Sequence, residues 1–303
     1  MGVMNKNIRK ITEGALMIAI IALLLLLNRQ FGNILEGTVY WILSFPIMIY
    51  AARYGLRDSL VVFVSSLLIS LMLAAPTTIF YLFVSLVVGI TYGSLVRKKV
   101  DNKIVLGVTI IIEIISLIIT TVLLAGMFGY DITSEIEIMS NTLNQFDSYA
   151  DTKQLAVMMV VIIYVGSSIM EALVIHLFGH IILKRLKIDV LELKSIYEIT
   201  YPKYMAVIIV IAFGLYYLCN LGLISKIYEN YLIAVYIICF IIGVSDGIIT
   251  LLCIIRNKKL SKGMVFLAML SGFIPVINNL VFVLGVYDIY TNYKMSLERR
   301  VKR

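Results

Sequence analysis

Three acidic side chains interrupt long apolar stretches of this sequence: Glu113, Glu171 and Asp246. Counted at ~1.5 Å per helical residue from the basic residues that close their stretches, all three lie roughly 15–20 Å from a helix end. An ionised carboxylate at that depth in a bilayer is costly, so it must be protonated, paired, or bound to a cation or a substrate amine. We therefore predict that these acids are substrate or proton ligands, although the sequence does not show that their helices face one another.

The two histidines of the chain, His176 and His180, lie on the same predicted helix as Glu171. His176 is the nearest potentially cationic partner for the buried acids, so it joins them as a tentative substrate or proton ligand. The spacing of i and i+4 puts both rings on one face. Since the HExxH pattern is absent and no further histidine completes a site, we predict no metal and favour a structural or interfacial role for His180.

Composition restricts the class of protein. The chain has 303 residues, of which 61% are hydrophobic and 15% charged, whereas soluble domains carry about 25% charged residues. Its apolar runs are continuous rather than alternating, which excludes an outer-membrane barrel. We therefore predict an all-α, polytopic transmembrane bundle in a cell membrane, in contact with membrane lipids. The net charge of +8 comes from short basic blocks between apolar runs, which favours topology signals over nucleic-acid binding.

Hydropathy predicts eight to nine membrane segments. The expected spans are residues 11–27, 37–52, 59–75, a fourth that ends at 97, 104–128, 154–185, 204–223, 231–255 and 264–287. Basic blocks on alternate loops put the N-terminus in the cytoplasm. We expect a six-span membrane domain at 1–187, followed by additional segments and a basic tail at 188–303.

The last apolar run, 264–287, leaves two alternatives. A run of ~24 apolar residues usually crosses a bilayer, which favours a ninth crossing, although nine crossings would put the basic tail outside, against the positive-inside rule. Pro275 followed by Asn278-Asn279 could instead break the run into a re-entrant pair of half-helices.

The external polar segment 129–153 is acidic, and its apolar residues recur at three- and four-residue steps, which predicts an amphipathic helix. Ser134 and Glu137 fit a capping box at its start. This helix is either a lid over an outward-facing cavity or an interfacial helix that lies on the bilayer.

Small residues four apart recur in the apolar runs, as Ala15/Ala19, Gly89/Gly93 and Gly243/Gly247. Such pairs let helices approach closely. They predict either packing within the chain or docking to another membrane subunit.

The segment from Lys10 to Ala22, KITEGALMIAIIA, resembles the first helix of the substrate-binding S components of energy-coupling-factor vitamin transporters. Phe45-Pro46 and the YGLRD sequence at 54–58 are also similar to those proteins. By this resemblance, Ala15 and Ala19 would contact a transmembrane coupling subunit, which works with ATPases. The whole chain resembles the YybS-like family of uncharacterised membrane proteins, found mainly in Firmicutes and related to S components, and its late GVYDIYTNYK sequence is similar to that family's end. The segment after Lys187 is a departure from ordinary S components.

These observations support two hypotheses. The first is a binding or transport subunit for a small metabolite; the second is a non-transporting scaffold or regulatory partner of another membrane protein. No nucleophile–base pair is recognisable, so we expect no enzyme activity and no cofactor. The Walker sequence GxxxxGK[ST] is absent, so the chain would not hydrolyse ATP by that route.

Overall fold

The protein is helical throughout the part of the chain that a computed structural model describes: residues 6–33, 40–128, 131–146, 151–193, 200–258 and 260–301, which contain no strand. Its helices are α1 Lys6–Gln30, α2 Ser44–Tyr54, α3 Leu56–Leu73, α4 Pro76–Arg97, α5 Asn102–Phe128, α6 Ile132–Phe146, α7 Thr152–Arg185, α8 Lys203–Asn220, α9 Glu229–Asn257, α10 Lys262–Leu270, α11 Pro275–Thr291 and α12 Tyr293–Val301. The predicted all-α fold is confirmed.

Seven of the described helices are long and apolar enough to cross a membrane: α1, α3, α4, α5, α7, α8 and α9. They also expose large apolar side chains, such as Leu71 and Met72 on α3. A helix that is apolar on its exposed as well as its buried face is stable only in a lipid environment. The predicted polytopic membrane bundle is therefore confirmed.

The described helices group into two compact units. The first comprises residues within 1–133 and 163–193, and the second comprises residues within 134–162 and 194–303. Helix α7 begins in the second unit and ends in the first. The predicted domain division at 187/188 stays a prediction, because spatial grouping does not test which segments fold independently.

The predicted second span, 37–52, differs from the structure. Residues 40–43 form a 3₁₀ turn, and α2 has only 11 residues, which is about half the ~30 Å needed to cross hydrocarbon as a helix. Helix α2 is short because it is an interior element: Ile47, Met48 and Ala51 are completely buried. The sequence could not distinguish this buried core helix from a lipid-facing one, since both are apolar.

Gly93 explains how α2 fits inside the first unit. A Cβ at this position would clash with the carbonyl oxygen of Met48 and would lie 2.8 Å from the Cβ of Ala51. Gly89 meets the carbonyl of Ser44 in the same way one turn earlier. These two glycines let the backbones of α4 and α2 touch, so this small-residue pair packs helices within the chain.

The basic loops of the first unit meet at one end of its helices. Lys10 at the start of α1 pairs with Asp58 at the start of α3, at 2.5 Å. Arg53 at the end of α2 pairs with Glu13 at 2.8 Å, and its carbonyl accepts a hydrogen bond from Arg97 at the end of α4. Helix α2 thus finishes at the end of the unit from which α1 started, as the alternating basic loops require.

In the second unit, the last apolar run folds back rather than continuing as one helix. Helix α10 leads away from the end of α9 to Gly272, where an added Cβ would lie 3.0 Å from Ile248 Cδ1. Ile274 is then extended (φ −95°, ψ 115°), and α11 begins at Pro275.

Helix α11 runs in the same direction as α9. The Phe282 ring packs on Gly243, and the carbonyl of Lys294 accepts a weak hydrogen bond from the Cys253 thiol at 3.8 Å. The C-terminal helix α12 therefore lies beside the end of α9 that leads to the basic residues 256–259. This arrangement is the re-entrant alternative, not a ninth crossing, and it removes the conflict with the positive-inside rule.

The predicted amphipathic helix in the external segment is present as α6. Its apolar residues Ile136, Met139 and Leu143 are half-buried, whereas Glu137 is exposed. The predicted capping box is wrong in register: Asp131 caps the helix, accepting hydrogen bonds from the backbone N–H of Thr133 at 2.9 Å and from its hydroxyl at 2.6 Å. Helix α6 begins about one turn earlier than predicted, because Asp131 is as good an N-cap as Ser134.

Candidate functional site

Two of the predicted acids come together on a tyrosine in the first unit. The hydroxyl of Tyr40 donates a hydrogen bond to Glu171 Oε2 at 2.6 Å. Glu113 is only 2% exposed and lies within electrostatic range of both Glu171 and Tyr40. Its Oε2 atom has no hydrogen-bond partner among the described residues. The 3₁₀ turn before α2, helix α5 and helix α7 thus build one polar cluster, which we call the Tyr40 cluster (Tyr40, Glu113, Glu171).

Helix α4 holds Tyr40 in place. The Tyr40 carbonyl accepts a hydrogen bond from Ser85 Oγ at 3.0 Å, and its ring lies 5.1 Å from that of Tyr81, between centroids. Both partners are one turn apart on α4. The phenol is therefore fixed by contacts at its backbone and its ring, which leaves its hydroxyl to orient the carboxylate.

His176 belongs to a different contact. Its carbonyl oxygen accepts a hydrogen bond from the Tyr92 hydroxyl at 3.1 Å, and its Nδ1 lies 3.2 Å from the same hydroxyl. Residues five positions apart on α7 do not share a face, so His176 and Glu171 point to different neighbours. The ring is 6% exposed, which leaves it a packed side chain joined to α4.

The Tyr40 cluster has a defined chemistry. Two carboxyl groups supply hydrogen-bond acceptors, and the unpartnered Oε2 of Glu113 is a buried acceptor that a donor could satisfy. A buried acceptor of this kind favours either a bound proton or a ligand that brings an amine or hydroxyl. The arrangement is therefore suited to binding rather than to nucleophilic chemistry.

The third predicted acid, Asp246, lies in the second unit with partners of its own. It forms an ion pair with Lys294, which also contacts Asp288 Oδ2 at 3.0 Å. The sequence assigned Lys294 to the basic tail, but this residue is 1% exposed and reaches Asp246, so Lys294 rather than His176 is the cationic partner of this acid. Burial and the charge of Asp246 raise the pKa of the nearby Tyr201 phenol, which lies before α8.

Sequence analysis missed Tyr40, Asp288 and Lys294. Tyrosine at the edge of an apolar run is common, so nothing distinguished Tyr40. One feature of the sequence indicates that Lys294 turns inward, the asparagine two residues before it. Asn292 has a φ of 55° and ends α11 in the left-handed conformation, which turns the chain back toward Asp288. The backbone N–H of Lys294 then donates to Asp288 Oδ1 at 2.6 Å.

The predicted docking residues Ala15 and Ala19 are both exposed on α1. Ala15 also lines a groove of about 520 Å³ between α1 and α3, together with Gly14 and Val61. A larger groove of about 730 Å³ lies among α3, α4 and α5, but its lining is apolar apart from Ser116 and Thr120. Neither groove offers the paired carboxyl groups of the Tyr40 cluster.

In the described ranges, no group of three or more His, Cys, Asp or Glu residues is arranged to hold a metal ion. The three cysteines, Cys219, Cys239 and Cys253, are buried, and none of them is in a disulfide. They fill space as small apolar side chains.

Comparison with known proteins gives two matches. The model of a family described as "Predicted membrane protein (DUF2232)" matches residues 19–289. The "Uncharacterized protein YybS" of Bacillus subtilis (strain 168) is 22% identical over 301 residues, which cover 93% of this chain and 96% of that protein. No solved structure matches this chain. The predicted resemblance to YybS-like proteins is confirmed.

Proposed function

Since this chain belongs to the DUF2232 family of predicted membrane proteins, we propose that it is a multi-pass membrane subunit that binds, or transports, a small metabolite. The observation that supports the proposal most is the Tyr40 cluster, in which the buried Glu113 and the half-buried Glu171 come from different helices and lie within electrostatic range of each other. Buried acids in membrane helices are expensive, so an arrangement that gathers two of them is better explained by a ligand than by packing.

The ligand expected from this chemistry is a small molecule with hydrogen-bond donors, and with an amine if both carboxyl groups are ionised. Glu113 Oε2 would accept from the ligand, whereas Tyr40 holds Glu171 in its rotamer. A site fixed before binding loses less entropy when the ligand arrives. His176 is proposed only to support the site, through its contact with Tyr92.

The resemblance of α1 to S components supports a finer form of the proposal. In this form, Ala15 and Ala19 dock on a transmembrane coupling subunit, and the ATPases of that subunit supply the energy for transport. Both residues are exposed on α1, and small side chains on an exposed membrane helix let a second helix approach closely.

The test is affinity purification of the tagged, full-length protein from native membranes in mild detergent, with mass spectrometry of co-purifying small molecules and proteins. We expect one small molecule to be retained by the wild type and lost from Glu113→Gln and Glu171→Gln. Each substitution keeps the size of the side chain and removes its charge.

Glu192→Gln is the matched control, because the Glu192 side chain is 90% exposed and lies outside the cluster. It should retain the molecule in full. Retention that is equal in the two cluster variants and in the control would contradict the proposed site, and would leave both acids with a structural role.

A second candidate function, a non-transporting scaffold or regulatory subunit, is favoured by the same exposed face of α1. Ala15→Leu with Ala19→Leu should reduce recovery of a membrane partner, whereas Ile20→Leu, on an exposed neighbour, should not. A coupling subunit recovered with its ATPases would favour the transport function. A different stoichiometric partner would favour the scaffold, and unchanged recovery would exclude this face as the docking surface.

A further inference from the structure

The second unit contains a buried charge cluster that the proposed function does not use. Asp246, Asp288 and Lys294 have exposures of 0%, 1% and 1%. Lys294 Nζ contacts both carboxylates. Asp288 is well satisfied, because its Oδ1 also accepts the backbone N–H of Lys294 at 2.6 Å. The three residues join α9, α11 and α12.

The charges of this cluster do not balance. Among the side chains that the structure describes, two carboxyl groups face one ammonium, which leaves one excess negative charge when both are ionised, in a site that solvent does not reach. An uncompensated buried charge is strongly destabilising, so the cluster either shares a proton between its two carboxyl groups or takes up one further cation. A divalent ion would overshoot this requirement, whereas a monovalent cation meets it.

Two oxygen atoms mark where that charge would lie. Asp246 Oδ2 and Thr250 Oγ1 are buried and have no hydrogen-bond partner within the described parts of the chain. Thr250 is itself completely buried. Buried polar atoms without partners are rare in native structures, and each one needs an explanation.

Thr250 lies on the face of α9 that carries Asp246. On α9, positions 246, 250 and 253 are spaced i, i+4 and i+7, and so lie on one face. Lys294 touches both ends of this face, since its Nζ contacts Asp246 and its carbonyl accepts from Cys253. Thr250, which lies between them, is therefore on the surface that α12 covers.

We propose that this cluster binds one monovalent metal cation, with Asp246 Oδ2 and Thr250 Oγ1 among its oxygen ligands. Carboxylate and hydroxyl oxygens are hard donors of the kind that such cations prefer. With the ion bound, the two negative charges face two positive ones. The ion would also fasten α9 to the re-entrant helix α11 and to α12, because Lys294 links Asp246 to Asp288.

The test measures whether Na⁺ stabilises the second unit. All three cysteines lie in that unit and are buried, so a thiol-reactive fluorophore reports its thermal unfolding directly. The purified full-length protein is heated in mixtures of NaCl and choline chloride at constant ionic strength. We expect the unfolding midpoint to rise with Na⁺ and to saturate, by on the order of 5 °C at about 100 times the dissociation constant.

Thr250→Val keeps the shape of the side chain and removes the proposed ligand oxygen. It should raise the Na⁺ concentration for half-maximal stabilisation about tenfold or more, and Thr250→Ser should restore it. The matched control is Thr109→Val: Thr109 is also buried, but its hydroxyl donates to the Val105 carbonyl at 2.8 Å within its own helix.

The control should leave the Na⁺ dependence unchanged. A wild-type midpoint that is the same in NaCl and in choline chloride would overturn the proposal, and so would a Thr250→Val response equal to that of the wild type. Either result would make the cluster a structural ion pair in which the two carboxyl groups share a proton. Neither depends on whether a metabolite binds the Tyr40 cluster, since that site lies in the other unit.

Discussion

Replacing Lys294 by methionine removes one ammonium group and keeps most of the length and volume of the side chain. In the native protein that ammonium lies between Asp246 and Asp288, in contact with both. The substitution leaves two carboxylates in a site where neither is more than 1% exposed. We predict that Lys294→Met is strongly destabilising, even though the residue belongs to a stretch that the sequence assigns to a polar tail.

The magnitude follows from burial. Removing one partner of a fully buried ion pair costs about 3–5 kcal/mol, because the remaining charge is neither solvated nor paired. At about 2–4 °C for each kcal/mol, this corresponds to a fall in the unfolding midpoint on the order of 10 °C. Cavity formation adds little, since methionine fills most of the space of the lysine stem.

The assay is thermal unfolding in detergent, followed with a thiol-reactive fluorophore that detects exposure of Cys219, Cys239 and Cys253. Lys103→Met is the control, because Lys103 is exposed at the start of α5. Its substitution should change stability by no more than about 0.5 kcal/mol. The double variant Asp246→Asn with Lys294→Met should recover much of the loss, since it removes one of the two carboxylates together with their partner.

Two results would refute this reasoning. Lys294→Met could unfold at the same temperature as Lys103→Met, which would mean that the ammonium is solvated. Alternatively, the double variant could be destabilised by the sum of its two single effects, which would mean that Asp246 and Lys294 do not interact.

Two further predictions concern packing and topology. In thermal unfolding, Gly93→Ala should destabilise the first unit by about 1–3 kcal/mol, because its Cβ would meet the backbone of α2. The control Gly107→Ala should be neutral or slightly stabilising, because no atom lies within 4 Å of a Cβ at that position. Equal effects of the two substitutions would contradict the close contact of α4 with α2. Cysteines introduced at Ser261 and Ser296 should react with a membrane-impermeant thiol reagent from the same side of the membrane, because α10 and α11 turn back. A cysteine introduced at Ser134 should react from the opposite side. If Ser296→Cys reacted from the same side as Ser134→Cys, the last apolar run would cross the membrane a ninth time.

The physical chemistry of single residues made the class of this protein predictable. Apolar runs of 18 or more residues require a membrane, and the basic blocks between them fix an alternating orientation. The same local rules found α6, because a period of three and four residues is visible without any partner. They located Glu113, Glu171 and Asp246 as well, since an acid in an apolar run stands out whatever surrounds it.

The neighbours of those acids were not predictable, because they come from distant parts of the chain. Tyr40 and Glu171 are 131 positions apart in the sequence. Lys294 reaches Asp246 only because Asn292 turns the chain and α11 runs back along α9. The length of α2 was missed for a related reason: an apolar segment looks the same whether lipid or protein surrounds it.

The sequence by itself determined that this is an all-α, multi-pass membrane protein with rare acids inside its helices, since hydropathy and charge act on each segment separately. Only the tertiary structure decided that Glu113 and Glu171 share the Tyr40 cluster, that Asp246 pairs with Lys294, and that the last apolar run is re-entrant. These features depend on which helix faces which. The pairing of helices is fixed by close contacts such as those at Gly93 and Gly243. The sequence does not specify these contacts, because many helix faces have a similar composition.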